Sequence, residues 1–336
     1  MRDPFCPPAF SEEQLERARD LAERVLAGER RAVARAISLV EDGDALSAEV
    51  VSRLYARTGH ARTIGVTGPP GVGKSTLLSG MVRECRTRGL SVGVVSVDPS
   101  SPFTQGAVLG DRIRLSEHFL DPAVFIRSMG TRGHLGGLAE ATLQTALVLD
   151  AAGKDVVFVE TVGVGQSEIE VASIVDTVIL ALMPGSGDSI QALKAGIMEI
   201  PDIIVVNKKD HPAADITYNE IRGILALADR QGGWEAPLLT TNALTGEGVA
   251  ELWERVVAHQ EHLRAEGRLD RRRGESLEKE VLSLSVREVQ RWLERRVGQD
   301  PRLDSVLEEV RERRLDPLSA VRHVLKDVLD IPEEGS

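Results

Sequence analysis

Cysteine is scarce, and its scarcity removes whole classes of protein. The 336 residues hold only Cys6 and Cys85. They form no CxxC and no Cys/His ligand pattern, so neither a thiol redox pair nor a cysteine-built metal site is expected, and a reducing compartment is. The chain also lacks an excess of positive charge: 41 Lys and Arg stand against 52 Asp and Glu, a formal charge of −11. That balance argues against general adhesion to nucleic acid or to anionic membranes. No stretch approaches the roughly 18 consecutive apolar residues of a membrane span. The first 13 residues carry charges of both signs and no apolar core, so neither a secretory signal nor a transit peptide is expected, and the cytoplasm is the expected location. Of the 7 histidines, only His259 and His262 have a spacing that suggests shared ligation, and both fall on a helix that its apolar stripe already explains. No repeat or low-complexity segment is visible.

What the chain does have is ordinary globular material: 42% apolar and 28% charged residues, enough to bury a sizeable core without disulfides or oligomerisation. Ser11 followed by Gln14 matches a capping box, and Leu15, Ala18, Leu21, Ala22, Val25 and Leu26 keep helical spacing, so residues 11–58 read as helices. From Thr63 the texture changes to short apolar, β-branched runs at residues 63–67, 91–97, 124–127, 155–160, 177–183, 202–207 and 238–241. Each is followed by a turn, and longer helical segments alternate with the runs. Runs apolar on both faces that alternate with helices predict a doubly wound α/β domain around a mainly parallel sheet. Beyond Val249 the pattern is helical again, with stripes at Val249, Leu252, Trp253, Val256 and Val257, at Leu277, Val281, Val289, Trp292 and Leu293, and at Val321, Val324, Leu325 and Val328. Asp316-Pro317 reads as a helix start, and the basic run 271–273 as a solvated linker face. The expected organisation is an N-terminal helical extension at 1–60, the α/β domain at 61–266 and a C-terminal helical arm at 267–336.

Directly after the first apolar run comes Gly68-Pro-Pro-Gly-Val-Gly-Lys-Ser75, a full G-x-x-x-x-G-K-S that opens a helix. Backbone N–H groups from Gly68, Pro70 to Gly73 and Thr76, where the residue carries one, can curl round a β-phosphate, while Lys74 reaches the β/γ oxygens and the Ser75 hydroxyl ligates Mg²⁺. The positive dipole end of the helix adds to the attraction. The fourth strand ends in Glu160-Thr-Val-Gly163, the layout in which a carboxylate serves Mg²⁺ and the glycine N–H meets the γ-phosphate. The acid is Glu where Asp is usual. Gln166 lies three residues past Gly163, too far for the water-orienting role of a glutamine directly after that glycine, so basal hydrolysis should be slow, on the order of 10⁻⁴ to 10⁻² s⁻¹.

Asn207-Lys-Lys-Asp210 follows an apolar strand and matches N-K-x-D. Asp210 is placed to accept from guanine N1 and N2, with Asn207 and Lys208 bracing the loop and the ring face; adenine offers no such donor pair, and a carboxylate left facing it would be unpaired. Asn242 and Ala243 follow the last strand, where a backbone N–H can meet guanine O6. Asp98 at the end of the second strand, and Asp111 beyond it, are further oxygen donors for Mg²⁺; Asp111 reads equally as a surface charge beside Arg112 and Arg114. Residues 184–194 read as a flexible loop running into a helix.

The second strand directly follows the P-loop helix, so the chain looks like the signal-recognition-type class of P-loop GTPases more than the Ras type. The motifs at 68–75, 97–102, 106–114, 132–137, 160–168, 184–194 and 207–210 together resemble the MeaB/ArgK family over nearly the whole chain. These are G-protein chaperones of adenosylcobalamin-dependent methylmalonyl-CoA mutase, also met under the name LAO/AO transport ATPase. The resemblance implies a homodimeric GTPase that docks on the mutase, gates cofactor loading and protects the mutase from inactivation. It assigns Asp98, Asp111 and Glu160 to Mg²⁺ and the switches, and places Asp188, Gln191 and Lys194 in a third switch loop that relays the partner's presence to hydrolysis. Lys74, Glu160, Gly163 and Lys194 are thus the expected catalytic residues. Alternative readings are a chaperone of another acyl-CoA mutase, such as an isobutyryl type, or a metal-insertion G protein, which the missing Cys/His clusters disfavour. An ATP-dependent kinase ranks last, because residues 207–210 argue for guanine.

Overall fold

The computed structural model describes residues 10–98, 115–130, 137–161, 173–185, 201–227 and 233–329. Three helices come first: α1 (Glu12–Leu26), α2 (Arg30–Glu41) and α3 (Ala45–Tyr55). The predicted capping box is present: the Gln14 N–H donates to Ser11 Oγ at 3.2 Å and the Ser11 N–H to Gln14 Oε1 at 2.9 Å, which satisfies donors that the helix start leaves open. The predicted stripe is buried through Ala18, Leu21, Ala22 and Val25.

The central sheet is built from β1 (Arg62–Thr67), β2 (Val92–Asp98), β3 (Val124–Gly130), β4 (Val156–Thr161), β5 (Thr177–Leu182), β6 (Ile203–Val206) and β7 (Leu238–Thr240). Its order is β3-β2-β4-β1-β5-β6-β7, and every pairing is parallel. The connecting helices are α4 (Lys74–Thr87), α5 (Gly137–Ala151), α6 (Ala214–Leu227) and α7 (Val249–Ala265). This is the doubly wound α/β class expected from the apolar runs. Alternation along β2 shows how the two faces are divided. Val92 and Val94 join Ile64, Val66 and Phe158 against α4 and α7, while Val95 and Val97 join Val157 and Val159 against α5 and the N-terminal helices. Thus Ala18, Val25, Val33, Ile37 and Leu54 of α1–α3 share one core with the sheet. Fully burying the valine, isoleucine and leucine side chains among them contributes roughly 1.5–3 kcal/mol each.

The chain divides into two compact units, Met1–Ser276 and Leu277–Ser336. α8 (Arg268–Arg296) starts in the first; α9 (Pro301–Arg311) and α10 (Pro317–His323) belong to the second, whose small core is Trp292, Leu303 and Val328. Asp316 caps α10 as its sequence predicted, accepting from the Leu318 and Ser319 N–H groups at 3.0 Å each. Among the described residues, no helix is long and apolar enough to cross a membrane.

The basic run 271–273 departs from its expected role as a solvated face. Arg271 does face solvent, but Arg272 donates to both Asp202 carboxylate oxygens at 3.2 Å, and Arg273 donates to the Asp176 carboxylate at 2.7 and 2.6 Å and to the Ala61 carbonyl at 2.8 Å. The reason is tertiary: Asp176 and Asp202 immediately precede β5 and β6 and accept from the Thr63 and Val178 N–H groups, so two carboxylates that organise strand starts need cations nearby. Hydrogen bonding to Asp176, only 3% exposed, holds the Arg273 guanidinium above its ordinary pKa. Arg273→Ala should therefore lower stability by on the order of 3 kcal/mol, read as a fall in the urea midpoint; a change within about 0.5 kcal/mol, as for a surface residue, would reduce the clamp to decoration.

Asp202 adds a pH dependence. Burial alone would raise its pKa, but the hydrogen bond from His259 and the charges of Arg272 and His259 outweigh it, and the carboxyl lies below its ordinary value. A depressed carboxylate contributes stability that is complete above the unfolded value of roughly 4 and is lost as pH falls through the lower folded value. The wild type should lose stability as pH falls below about 4 more steeply than Asp202→Asn, in unfolding curves recorded at successive pH; parallel curves would contradict the assignment.

Candidate nucleotide site at the carboxyl ends of the strands

β1 ends at Thr67, and the chain then turns through residues 68–73 into α4. Two glycines are required by their surroundings. Gly68 has φ of 142° and any Cβ there would collide with the Ala181 carbonyl of β5. Gly73, at φ of 92°, is the residue before α4, and a Cβ would come within 2.7 Å of Asn207 Nδ2. Between them Pro70 and Gly71 are exposed and Val72 is buried, while Thr76 is half-buried on the first turn of α4. Lys74 is buried, and its Nζ donates to the Gly68 carbonyl at 2.5 Å and to the Pro69 carbonyl at 3.1 Å. The ammonium thus lies across the loop that the sequence assigned to phosphate.

Ser75 Oγ donates to Glu160 Oε1 at 2.6 Å, and Ser96 Oγ donates to Oε2 at 3.2 Å. The register explains the meeting: Glu160 of β4 is level with Val66 of β1 and Ser96 of β2, so the carboxylate emerges beside the first turn of α4. Glu160 is fully buried. Next to it the Thr161 hydroxyl donates to Thr67 Oγ1 at 3.2 Å. Asp98 closes β2 level with Gly130 of β3; its carboxylate is outside the described groups. A hydroxyl and a buried carboxylate form an oxygen donor set of the kind that hard divalent cations accept.

On the other side of β1, Asn207 is the central brace. Its Nδ2 donates to the Val72 carbonyl at 2.8 Å, while its Oδ1 accepts from Thr241 Oγ1 and from the Ala243 N–H, each at 3.1 Å. One buried amide thereby fastens the phosphate loop to the ends of β6 and β7. Lys208, at φ of 58°, turns its Nζ onto the Gly71 carbonyl at 2.9 Å. Asp210 is exposed, with Oδ1 accepting from Asn242 Nδ2 at 3.0 Å, and Asn242 is itself oriented by accepting the Leu244 N–H at 3.1 Å. The Ala243 N–H, a candidate for guanine O6, is engaged by Asn207 here and serves the brace.

The structure therefore brings Gly68, Lys74, Ser75, Glu160, Asn207, Lys208, Asp210, Asn242 and Ala243 to one end of the sheet, with Asp98 ending a neighbouring strand. Asp111, Gly163, Gln166, Asp188, Gln191 and Lys194 lie outside the described residues. Sequence reasoning missed Ser96 and the Thr67–Thr161 pair; a lone hydroxyl flanked by Val95 and Val97 inside an apolar strand was the available signal for Ser96.

Comparison with known proteins bears on this geometry. A family model described as methylmalonyl Co-A mutase-associated GTPase MeaB matches residues 33–297. The chain belongs to the MeaB family. A relative in Pyrococcus horikoshii named as a GTPase is 46% identical over 313 residues, covering 92% of this chain and 98% of that one. GTPase ArgK of Escherichia coli is 41% identical, covering 73% of this chain and 77% of ArgK. The mouse protein named methylmalonic aciduria type A homolog, mitochondrial, is 34% identical, covering 73% and 64%. Among solved structures, LAO/AO transport system kinase superposes with a TM-score of 0.69 at 30% identity, covering 96% of this chain and 99% of the other. This MeaB-family chain is a GTPase that binds GTP and GDP, on a doubly wound parallel-sheet fold.

Two substitutions test the site. Asp210→Asn should weaken GTP binding and narrow the preference for GTP over ATP; unchanged affinity and preference, by nucleotide titration, would remove Asp210 from base reading. Asn207→Ala strands the Ala243 N–H and the Thr241 hydroxyl, so it should cost about 1–3 kcal/mol of stability and loosen nucleotide binding together. A variant that loses neither would show that the brace is dispensable.

Proposed function

We propose that this GTPase is a chaperone of adenosylcobalamin-dependent methylmalonyl-CoA mutase that gates cofactor loading and protects the mutase from inactivation. The observation that carries the proposal is the match of the mutase-associated family model across residues 33–297, which spans the whole nucleotide site. The name of the mouse relative supports the same client class.

In the proposed mechanism, water attacks the γ-phosphate in line. Lys74 exchanges the Gly68 and Pro69 carbonyls for phosphate oxygens and offsets the charge that develops on them. The N–H groups of Gly68 and of Gly71 to Gly73, with those of Lys74, Ser75 and Thr76, hold the β-phosphate at the start of α4. Asp210 reads the base, Lys208 covers its ring, and Asn207, Asn242 and Ala243 hold the reading loop in register. The Ser75 hydroxyl and the Glu160 carboxylate, 2.6 Å apart, would hold Mg²⁺ together with Asp98 and Asp111. When bound, that ion supplies charge neutralisation between the β- and γ-phosphates. Gly163 would meet the γ-phosphate through its N–H, and Asp188, Gln191 and Lys194 would form the switch loop that the mutase orders.

The C-terminal arm is proposed to join two chains into a homodimer. Val281, Leu282 and Val286 of α8 and Leu318, Val321 and Leu325 near the chain end are exposed apolar side chains, and exposed apolar faces of this kind mark interaction surfaces. The site of action is the cytoplasm. GTP turnover measured alone and with a stoichiometric holo methylmalonyl-CoA mutase tests the reading. The expected result is slow basal turnover accelerated tenfold or more, equivalent to about 1.4 kcal/mol off the barrier, with Lys74→Ala silent in both settings. No acceleration would move the client to another acyl-CoA mutase or to a metal-delivery partner.

A further inference from the structure

A cavity of about 480 Å³ opens at the opposite end of the sheet from the nucleotide site. Its wall includes Arg62, the first residue of β1, whereas the phosphate loop follows Thr67, the last; six strand residues separate the two sites by roughly 20 Å. Four permanent cations meet there, Arg57, Arg62, Lys154 and Arg264, with His60 beside them. They come from four places in the chain: the turn after α3, the start of β1, the turn after α5 and the last turn of α7.

Among the described residues none of these cations forms a direct ion pair with a carboxylate, although the charges of Glu261 and Asp176 act on Arg62 and those of Asp121 and Asp155 on Lys154. Arg62 donates only to the neutral amide of Gln260, at 3.0 Å, and Lys154 only to the Ala123 carbonyl, at 3.1 Å. Elsewhere in the chain arginines are paired with acids as a rule, at Arg24, Arg83, Arg86, Arg127, Arg272, Arg273 and Arg302 among others. Two acids also line the cavity, so four cations stand against two carboxylates there, and each acid is oriented by nearby donors. Asp150 accepts from the N–H groups of Gly59 at 2.6 Å and Ala61 at 2.8 Å, with His60 further out at 3.3 Å, and Asp155 accepts from the N–H and hydroxyl of Ser91 at 2.7 Å each. Burial, and then the charge of Arg264, hold the Arg62 guanidinium below its ordinary pKa; burial, then Arg30 and Arg86, do the same to Lys154. Gathering like charges in a partly desolvated hollow of a chain with net charge −11 costs stability unless an anion fills it.

We propose that this hollow binds a phosphate-bearing small molecule, distinct from the nucleotide that GTP hydrolysis uses. Phosphate groups bring two or more charges in a compact form and match the planar fork of arginine, which suits the excess of four cations over two acids on the wall, whereas a single carboxylate would offset only half of it. Leu26 and Leu90 on the wall give an organic portion an apolar surface, and the volume lies within the range of small-ligand sites.

The test uses the full chain with its nucleotide site filled by saturating GDP, in buffer without added Mg²⁺, titrated calorimetrically with inorganic phosphate and with pyrophosphate. The expected result is one site per chain, weakened at least tenfold in the double variant R62Q/R264Q and weakened by added salt, while that variant keeps its GTP turnover and so its fold. Binding of both probes points to a phosphomonoester, and binding of pyrophosphate alone to a diphosphate. Absence of binding to the GDP-filled wild type overturns the proposal. So does undiminished binding by R62Q/R264Q, including binding that Lys74→Ala abolishes, which would place the anion beside the GDP. Should R62Q/R264Q lose turnover, the exposed Arg57→Gln replaces it: a threefold or greater loss of affinity supports the site, and unchanged affinity overturns it.

Discussion

Parallel pairing of β1 with both β4 and β5 is the constraint on which the site depends. Parallel strands all end on one side of the sheet, so the loop after Thr67, the carboxylate of Glu160 and the brace of Asn207 must emerge together. A sheet covered on both faces leaves the strand ends as the natural crevice for a ligand. The helices on those faces are therefore part of the site. α4 presents its N-terminus to the crevice, and α1–α3 complete the apolar core on the opposite face, so their removal would uncover β2 and β4.

Burial of polar groups is the second organising cost, and each large instance is met by specific partners. Glu160, fully buried, takes hydroxyl donors from Ser75 and Ser96. Asn207 satisfies both ends of its amide across three loops. At the other end of the sheet Asp150, Asp176 and Asp202 accept main-chain N–H groups at strand starts. The two latter acids recruit Arg273 and Arg272 from the first turns of α8, so the start of that helix is tied to the strand starts by charge.

The distribution of unpaired charge then separates two ends of one molecule. At the carboxyl ends, lysine and glycine amides face a carboxylate and a hydroxyl, a balanced arrangement suited to a phosphate accompanied by a divalent cation. At the amino ends, around Arg62, four cations outnumber the two acids beside them. The same principle, that a partly buried charge needs a partner, accounts for the clamp at Arg273 and motivates the anion site around Arg62.

Much of this was legible in the residues themselves. The seven apolar runs became the seven strands, each end within one residue except that β3 continues three residues past its run, because a strand buried on both faces must be apolar throughout. The Ser11 and Asp316 caps were readable because capping is a local interaction between neighbours in sequence. The loops at 68–75 and 207–210 stood out because glycine, lysine and aspartate at fixed spacing have few other uses. Pairings between distant residues were not readable: Ser96 with Glu160, Asn207 with Val72, and Arg273 with Asp176 join residues that share no local pattern. The basic run 271–273 shows the limit most clearly, since the residues alone suggested a solvated face. The sequence by itself determined the elements and their caps, since these rest on local geometry and period. Only the tertiary structure decided which loops meet and which charges go unpaired, since strand order and helix placement follow from packing and are written in no single segment.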